Sequence, residues 1–372
     1  MIENLQNRNI KFNNKKVVLG LSGGVDSTAA ALLLKKQGFE VIGLYFDVTK
    51  GNAKGIAKAQ KAADEIGIKL IVKNVYDRFQ ATVVQNFIDE YTHGRTPNPC
   101  TLCNPMVKFK VLIDAADQEE ASFIATGHYA ITDYSETQQA VVVKTAENIK
   151  KDQSYMLYRL PKEWIERLIL PLSHVDDKEK TRQLARQNSM SNAEDKDSQE
   201  ICFLENDMSY VDFLASKNIT VNPGKFVDKE GNVLGDNQGI IHYTIGQRKG
   251  LGIALGRPAF VTEIREDNTV VLGENADLFK HHVICDDVFF TATGSEQVPE
   301  FLKGAKLKGK VRYKAAQSPC LISEDFDAES TAENGQICVT FDEAQRAATP
   351  GQSLVLYYND EVVGGGIIKR TE

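Results

Sequence analysis

Cysteine is scarce in this sequence. Six in 372 residues are too few for a disulfide scaffold, which leaves reduced thiols, catalytic residues or metal ligands as their uses. Long apolar runs are missing as well. No stretch of about 18 or more apolar residues occurs, so no membrane span is expected, and no apolar h-region follows Met1, so secretion is not expected either. An excess of positive charge is also absent. A net charge of −7 argues against a protein that coats nucleic acid non-specifically, though not against one with a local basic face. There is no internal repeat and no low-complexity segment. What remains is an ordinary soluble composition, 42% hydrophobic and 26% charged. Its length suits two or three domains of roughly 100–200 residues each, in a cytoplasmic protein.

The most informative stretch is Gly20-Leu21-Ser22-Gly23-Gly24-Val25-Asp26-Ser27. It follows a buried-strand pattern, Val17–Leu19, and precedes a helical one, Thr28–Gln37. Paired glycines between serines let backbone N–H groups curl around an anion at a helix N-terminus, where the dipole favours negative charge. Ser22 and Ser27 add hydroxyl donors, and Asp26 can help hold magnesium beside phosphates. No Lys follows a glycine here, so this is not a Walker A loop. An ordinary tight turn is the plain alternative; the strand–loop–helix context argues against it.

Three regions separate along the chain. From about 15 to 130, short apolar strands (Val17–Leu21, Val41–Phe46, Leu70–Val75, Ser122–Thr126) alternate with helical spacing at Ser27–Gln37, Gly55–Ile66, Phe79–Glu90 and Met106–Asp117. Strands apolar on both faces with helical crossovers imply an α/β, doubly wound parallel sheet. Ligands bind at the C-terminal ends of such strands, where Ser22–Ser27, Phe46 and Gly127-His128 fall. A polar helical stretch runs from about 150 to 205. Beyond it, Gly239–Gly252 and Pro258–Ile264 suggest a small mixed domain. Alternating runs at Lys308–Tyr313, Gln336–Phe341 and Ser353–Tyr358 suggest a C-terminal antiparallel β-barrel. The expected domains are residues 1–206, 207–283 and 284–372.

Cys100 and Cys103 lie in Thr96-Pro97-Asn98-Pro99-Cys100-Thr101-Leu102-Cys103-Asn104, and Cys202 lies in Ser198–Leu204. Two prolines stiffen the approach to Cys100. Thiolates are nucleophiles that also carry sulfur as a persulfide, and two of them can close a disulfide. A zinc site wants four ligands, usually with a second close pair. Here Cys285, Cys320 and Cys338 are scattered singly in β-like segments and read as buried small hydrophobes.

The Gly20–Ser27 loop resembles the pyrophosphate loop of the PP-loop ATPases (adenine nucleotide alpha hydrolase-like). Taken with Gly94–Pro99 and Cys103-Asn104, Ala125–Ala130, Lys151–Tyr155, Ser198–Leu204, His242–Gly250, Val311–Tyr313 and Pro350–Gln352, the chain resembles the tRNA-specific 2-thiouridylases over nearly its whole length. That resemblance implies ATP-dependent replacement of the C2 oxygen of the wobble uridine by sulfur. Gly20, Leu21, Ser22, Gly23, Gly24, Val25, Asp26 and Ser27 would then hold ATP, with Phe46 against the adenine and Gly127 touching the nucleotide. Asn98, Pro99 and Cys100 would line the pocket for the flipped-out base. His128, Lys151, Asp152, Gln153, Arg312, Tyr313 and Gln352 would contact the tRNA anticodon region. Cys103 would be the nucleophile and Cys202 the persulfide carrier, supplied by a persulfide-carrying donor protein or a cysteine desulfurase. Two positions depart from the family pattern: Cys100 stands where many members have an acid, and Phe46 where Met is frequent.

Three uses of these residues stay open. One is thiolation through O2-adenylated uridine, with ATP and Mg2+, either by direct attack of a Cys202 persulfide or by hydrosulfide that Cys103 releases from it. A second keeps the loop but performs another adenylating synthesis. The third is non-enzymatic, an RNA-binding protein with a redox or iron–sulfur sensor, in which Cys100, Cys103 and Cys202 hold a [4Fe–4S] cluster with one labile iron; such a cluster could also coexist with thiolation. Residues 302–320 hold Lys303, Lys306, Lys308, Lys310, Arg312 and Lys314 and no acid. On a strand, the last five share one face, which reads either as an RNA-binding stripe or as an edge strand blunted by lysine.

Overall fold

The computed structural model describes residues 14–175, 177–195, 201–204, 208–323 and 335–372. They form two compact units, each woven from several chain segments. The first takes the described residues up to Thr82 with Cys100–Phe203 and Asn359–Val363; the second takes Val83–Pro99, Leu204–Tyr358 and Gly364–Glu372.

At the centre of the first unit is a parallel sheet of five strands. These are β1 (Lys16–Gly20), β2 (Glu40–Asp47), β3 (Lys69–Asn74), β4 (Phe123–Ala125) and, after a hairpin of β5 (Ile131–Ser135) and β6 (Ala140–Lys144), β7 (Leu168–Ile169). The order is β3-β2-β1-β4-β7, parallel throughout. Val17, Val18 and Leu19 of β1 are fully buried. Helix α1 (Val25–Lys36) packs Ala29, Ala30, Ala31 and Leu34 into the same core as Val17 and Leu19; small side chains let helix and sheet approach closely. Helix α2 (Ala53–Ile66) is capped by Asn52, whose Oδ1 accepts from the Gly55 N–H at 2.9 Å, and ends on Gly67 at φ +71°. The chain leaves β1 towards β2 and returns on its other side at β4. The crevice at their carboxyl ends is therefore the topological switch point, where such sheets bind ligands.

Two readings of this region need correction. β3 is an edge strand, half-exposed rather than apolar on both faces, with Val72 42% exposed. The helix expected over Phe79–Glu90 is broken: α3 (Tyr76–Phe79) passes through a π-turn at Gln80–Val84 into α4 (Gln85–Thr92). A second π-turn, Asn104–Phe109, links α5 (Pro99–Cys103) to α6 (Lys110–Gln118). The polar stretch supplies α7 (Lys162–Arg167) and α8 (Lys178–Gln187).

In the second unit, α9 (Tyr210–Ser216) packs against α4, with the Phe87 and Phe213 rings 5.9 Å apart and Tyr91 stacked on Tyr210 at 4.5 Å. A four-stranded mixed sheet follows, of β8 (Gly224–Val227), β9 (Val233–Asn237), β10 (Phe260–Ile264) and β11 (Thr269–Gly273), ordered β10-β11-β8-β9. Only β8 and β11 are parallel. Six further strands, β12 (Phe279–Phe290), β13 (Leu307–Lys310), β14 (Ser318–Ile322), β15 (Ile337–Arg346), β16 (Ser353–Tyr358) and β17 (Glu361–Thr371), form an antiparallel barrel. It closes where β12 pairs with β17. Closure needs bare backbone: a Cβ on Gly365 would lie 2.1 Å from the Leu354 carbonyl oxygen.

The basic run is not one strand. β13 stops at Lys310, because Gly309 pairs with Ser318 of β14 and the chain must turn between them. Arg312 and Lys314 lie on that turn, exposed, while Lys310 is only 6% exposed. Nor is β13 an edge, since β14 and β16 flank it. Among the described residues no helix is long and apolar enough to cross a membrane.

Candidate functional site

The loop leaving β1 is knitted by its own hydroxyls. Ser22 Oγ lies 3.2 Å from Ser27 Oγ, Ser27 Oγ donates to the Gly24 carbonyl at 3.0 Å, and the Gly24 N–H donates to Ser22 Oγ at 3.3 Å. Gly24 caps α1 without a side-chain hydrogen bond, so the first-turn N–H groups face the anion position of a helix N-terminus. Gly23 sits at φ +77°, and a Cβ there would be 2.8 Å from the Lys58 backbone. A Cβ on Gly20 would meet the Phe46 ring at 3.2 Å, and one on Gly127 would meet Asp26 and Ser27 backbone at 3.2 Å. The structure thus brings the loop, Phe46 and Gly127 together at the switch point.

Three residues brace this loop, two of them without any signal in the sequence. Asn192, buried, donates from Nδ2 to the Gly23 carbonyl at 2.6 Å and to Thr28 Oγ1 at 2.7 Å. The Tyr129 hydroxyl donates to Asp26 Oδ1 at 2.7 Å, and Lys178 Nζ lies 3.3 Å from Asp26 Oδ2. Asn192 and Lys178 come from the polar helical stretch, where neither has a periodic or motif signal. Only Tyr129, inside Ala125–Ala130, had one.

The sulfurs gather in the same unit. Cys103 ends α5 and is 4% exposed; Cys100 and Cys202 are exposed. Burial pushes the Cys103 thiol up to about 12, opposed by the Lys108 ammonium and by a hydrogen bond from the Lys108 backbone N–H. Cys202 is flanked closely enough by protein that desolvation also raises its thiol, again against Lys108. The three sulfurs weigh on one another's ionisation, so they lie within electrostatic reach. Burial works against the Lys108 charge, but Cys103, Cys202 and Cys100 outweigh it and hold its pKa above the ordinary lysine value. The π-turn is what carries Lys108 back onto Cys103; such widened turns mark functional sites in many helices. His128 Nδ1 lies 2.8 Å from Thr126 Oγ1 and its ring stacks on Phe109. Burial, then Lys108, pushes it down to about 3, so it is neutral at physiological pH.

An iron–sulfur cluster does not fit this arrangement. Among the described residues no group of three or more His, Cys, Asp or Glu is placed to hold a metal, and the Lys108 ammonium already bears on the three sulfurs. Cys285, Cys320 and Cys338 are buried, and burial raises each thiol.

The remaining expected tRNA and base contacts are placed unevenly. Asp152 is buried, and its carboxylate accepts from the Ala146 and Ser154 N–H groups and from Ser154 Oγ, at 3.0, 3.1 and 2.9 Å. Gln153 Oε1 accepts from the Tyr129 N–H at 3.0 Å, and Lys151 Nζ lies 5.3 Å from the Tyr129 ring centre. In the second unit, Asn98 is half-buried and Pro99 buried. There too Gln352 Nε2 donates to the Thr96 carbonyl at 2.7 Å, Arg312 is exposed, and Tyr313 is half-buried with the Lys310 ammonium 5.7 Å from its ring centre.

Three family models match in series: one described as the tRNA methyl transferase HUP domain over residues 15–206, one as the tRNA methyl transferase PRC-barrel domain over 211–274, and one as the aminomethyltransferase beta-barrel domain over 288–368. The tRNA-specific 2-thiouridylase MnmA of Clostridioides difficile (strain 630) is 42% identical, covering 97% of this chain and 99% of its own. MnmA 2 of Caldanaerobacter subterraneus subsp. tengcongensis, of the same description, is 41% identical over 96% and 98%. Among solved structures, NMN synthetase from Francisella tularensis is 16% identical with a TM-score of 0.33, covering 59% of this chain and 85% of that one. With such identity sustained along almost the whole length of both chains, this protein belongs to the tRNA-specific 2-thiouridylase family.

Proposed function

We propose that this chain uses ATP to exchange the C2 oxygen of the tRNA wobble uridine for sulfur. The observation that carries the reading is the gathering of Cys103 and Cys202 around the half-buried Lys108 ammonium, in the same unit as a glycine-rich loop at the switch point of a parallel sheet. In this reading residues 1–206 bind ATP and perform the chemistry, residues 207–283 form the central mixed domain, and residues 284–372 form a further tRNA-contacting domain. The protein works in the cytoplasm.

The C2 oxygen of uracil is a poor leaving group and must be activated. It attacks the α-phosphate of ATP, forming O2-adenylated uridine and expelling pyrophosphate into the Ser22–Ser27 loop, whose backbone N–H groups and helix dipole stabilise the departing charge. Magnesium, bound with the phosphates, supplies further neutralisation there; Asp26, partly exposed at the loop's rim, is the carboxylate that fits it. The terminal sulfur of a persulfide on Cys202 then attacks C2, and AMP leaves with the oxygen. The Cys103 thiolate attacks the Cys202 sulfur, which closes a disulfide and releases 2-thiouridine. A thiol reductant reopens that disulfide, and a persulfide donor protein or cysteine desulfurase reloads Cys202. The difference in exposure supports this division of labour: a carrier must be reached by a donor, and Cys202 is exposed, whereas Cys103 is buried. Bringing the base to the site means flipping it from the anticodon stack, which costs on the order of a few kcal/mol and least in an already single-stranded loop.

The test is mass spectrometry of nucleosides from unmodified tRNA incubated with the protein, ATP, magnesium and a sulfide or persulfide source. ATP-dependent 2-thiouridine at the wobble position is expected. Its absence, with ATP–pyrophosphate exchange retained on another acceptor, points instead to an adenylating synthetase.

A further inference from the structure

Asp26 creates an electrostatic problem for the phosphate loop. It lies in the first turn of α1, where the helix dipole favours a carboxylate. The same turn has to receive the phosphates of ATP, which a carboxylate repels. The cation held against it is Lys178, 3.3 Å from Asp26 Oδ2 and with a side chain 25% exposed.

Lys178 does not belong to the loop or to any motif. It opens α8, and its place there is fixed by Asp177, which caps that helix by accepting from the Glu179 N–H at 3.1 Å. Asp177 also lies 3.9 Å from Lys151 Nζ, whose ammonium faces the Tyr129 ring. The Tyr129 hydroxyl donates in turn to Asp26. Asp26, Tyr129, Lys151, Asp177 and Lys178 therefore close a ring of interactions beside the phosphate loop. The segment after α8 is built onto the loop as well. Arg182 donates to the Ala193 and Asp195 carbonyls at 2.9 Å, and so fixes the turn from which Asn192 grips Gly23. Lys58, whose backbone lies against Gly23, pairs its ammonium with Asp195 at 2.8 Å, outside that ring.

We infer that Lys178 is a phosphate-binding residue of the nucleotide site: it neutralises Asp26 before ATP binds and turns to the β- and γ-phosphates when ATP enters, which frees Asp26 for magnesium. This rests on the reading that Gly20–Ser27 holds ATP. A partly exposed ion pair is weak, so exchanging one carboxylate oxygen for a more highly charged phosphate is favourable. Lysine suits the role because its ammonium is a point charge on a flexible stem.

Calorimetric titration of the full chain with ATP and with AMP, each with magnesium, tests the assignment. Lys178→Met is expected to weaken ATP binding on the order of tenfold or more, as removing one charge-assisted hydrogen bond would, and to leave AMP binding nearly unchanged. Lys178→Arg should keep most of the ATP affinity. In an Asp26→Asn background, Lys178→Met should still weaken ATP. An effect that disappears once Asp26 is Asn would show that Lys178 only neutralises the carboxylate, and would overturn the inference. Equal losses for ATP and AMP would overturn it too, because a purely structural role acts on both; Lys178→Gln serves if the methionine variant does not fold. Wild-type protein that binds ATP normally alongside an unaffected Lys178→Met refutes this inference alone. Wild-type protein that binds no ATP refutes the proposed function with it.

Discussion

A desolvated thiol is a poor nucleophile, because losing water penalises the thiolate that must react. Both Cys103 and Cys202 carry that penalty, and for both the main relief is Lys108. Removing its charge should raise both thiols further. Lys108→Met is therefore expected to slow alkylation of Cys202 by iodoacetamide at pH 8 by roughly tenfold, about one unit less of charge stabilisation, and to move the pH–rate curve to higher pH. Peptide mass spectrometry over a pH series measures this, and an unmoved curve would show that Lys108 does not act on the sulfurs. Cys103→Ser and Cys202→Ser should each abolish thiolation. Cys285→Ala, Cys320→Ala and Cys338→Ala should keep activity, with a modest loss of stability of about 1 kcal/mol from the small cavity each leaves. Sulfur isotope trapped on Cys285 rather than Cys202 would sink the scheme.

His128 supplies a pH signature of its own. Its folded-state pKa, about 3, lies below the ordinary 6.5, so between these values the unfolded chain binds the extra proton. The stability it contributes is complete above about pH 6.5 and is lost as pH falls towards 3. Denaturant unfolding at pH 7 and pH 4.5 should therefore show a fall in stability that His128→Asn makes smaller. An equal fall in both proteins would show that His128 is not held neutral by its surroundings.

Among the elements, the parallel sheet was legible because β1, β2 and β4 bury both faces and so are written as continuous apolar runs. β3 misled because an edge strand can carry the same residues with one side open. The helix at Phe79–Glu90 kept its apolar spacing through a π-turn, and periodicity does not register the one-residue widening. The β5–β6 hairpin has too few residues for a clear alternation, and β13 ended early because strand pairing, not sequence, sets the turn. The loop was the most legible part of the site, since its glycines answer to backbone geometry. At φ +77° and 2.8 Å from the Lys58 backbone, Gly23 has no room for a methyl group. Gly23→Ala should cost at least about 1–2 kcal/mol of loop strain and weaken ATP binding at least tenfold, with tRNA binding retained. Paired ATP and tRNA titrations check this, and normal ATP affinity would mean the loop tolerates a different path. Lys108, Lys178 and Asn192 escaped the sequence reading because their roles depend on tertiary neighbours that no local pattern encodes.

At the scale of the whole molecule, an acidic chain has to bind a polyanion. A net charge of −7 repels tRNA at long range, so affinity has to come from local cations that displace counterions. The basic run supplies them in a form different from a flat stripe. Lys306, Lys308, Arg312 and Lys314 are exposed around β13 and the turn after it, while Lys310 is buried with its ammonium towards Tyr313. The two groups should then respond differently to substitution. Changing Lys308 and Arg312 together to Ala should weaken tRNA binding and flatten the dependence of log affinity on log salt by about one for each phosphate no longer neutralised. ATP binding and unfolding should be unchanged. Lys310→Ala should act chiefly through stability, since it removes a buried aliphatic stem and a cation–π interaction worth about 1 kcal/mol, and so lower the denaturation midpoint. Filter binding over a potassium chloride series, alongside denaturant melts of each variant, separates the two effects. A salt slope that moves with Lys310 and not with Lys308 and Arg312 would place the RNA on the other side of this turn.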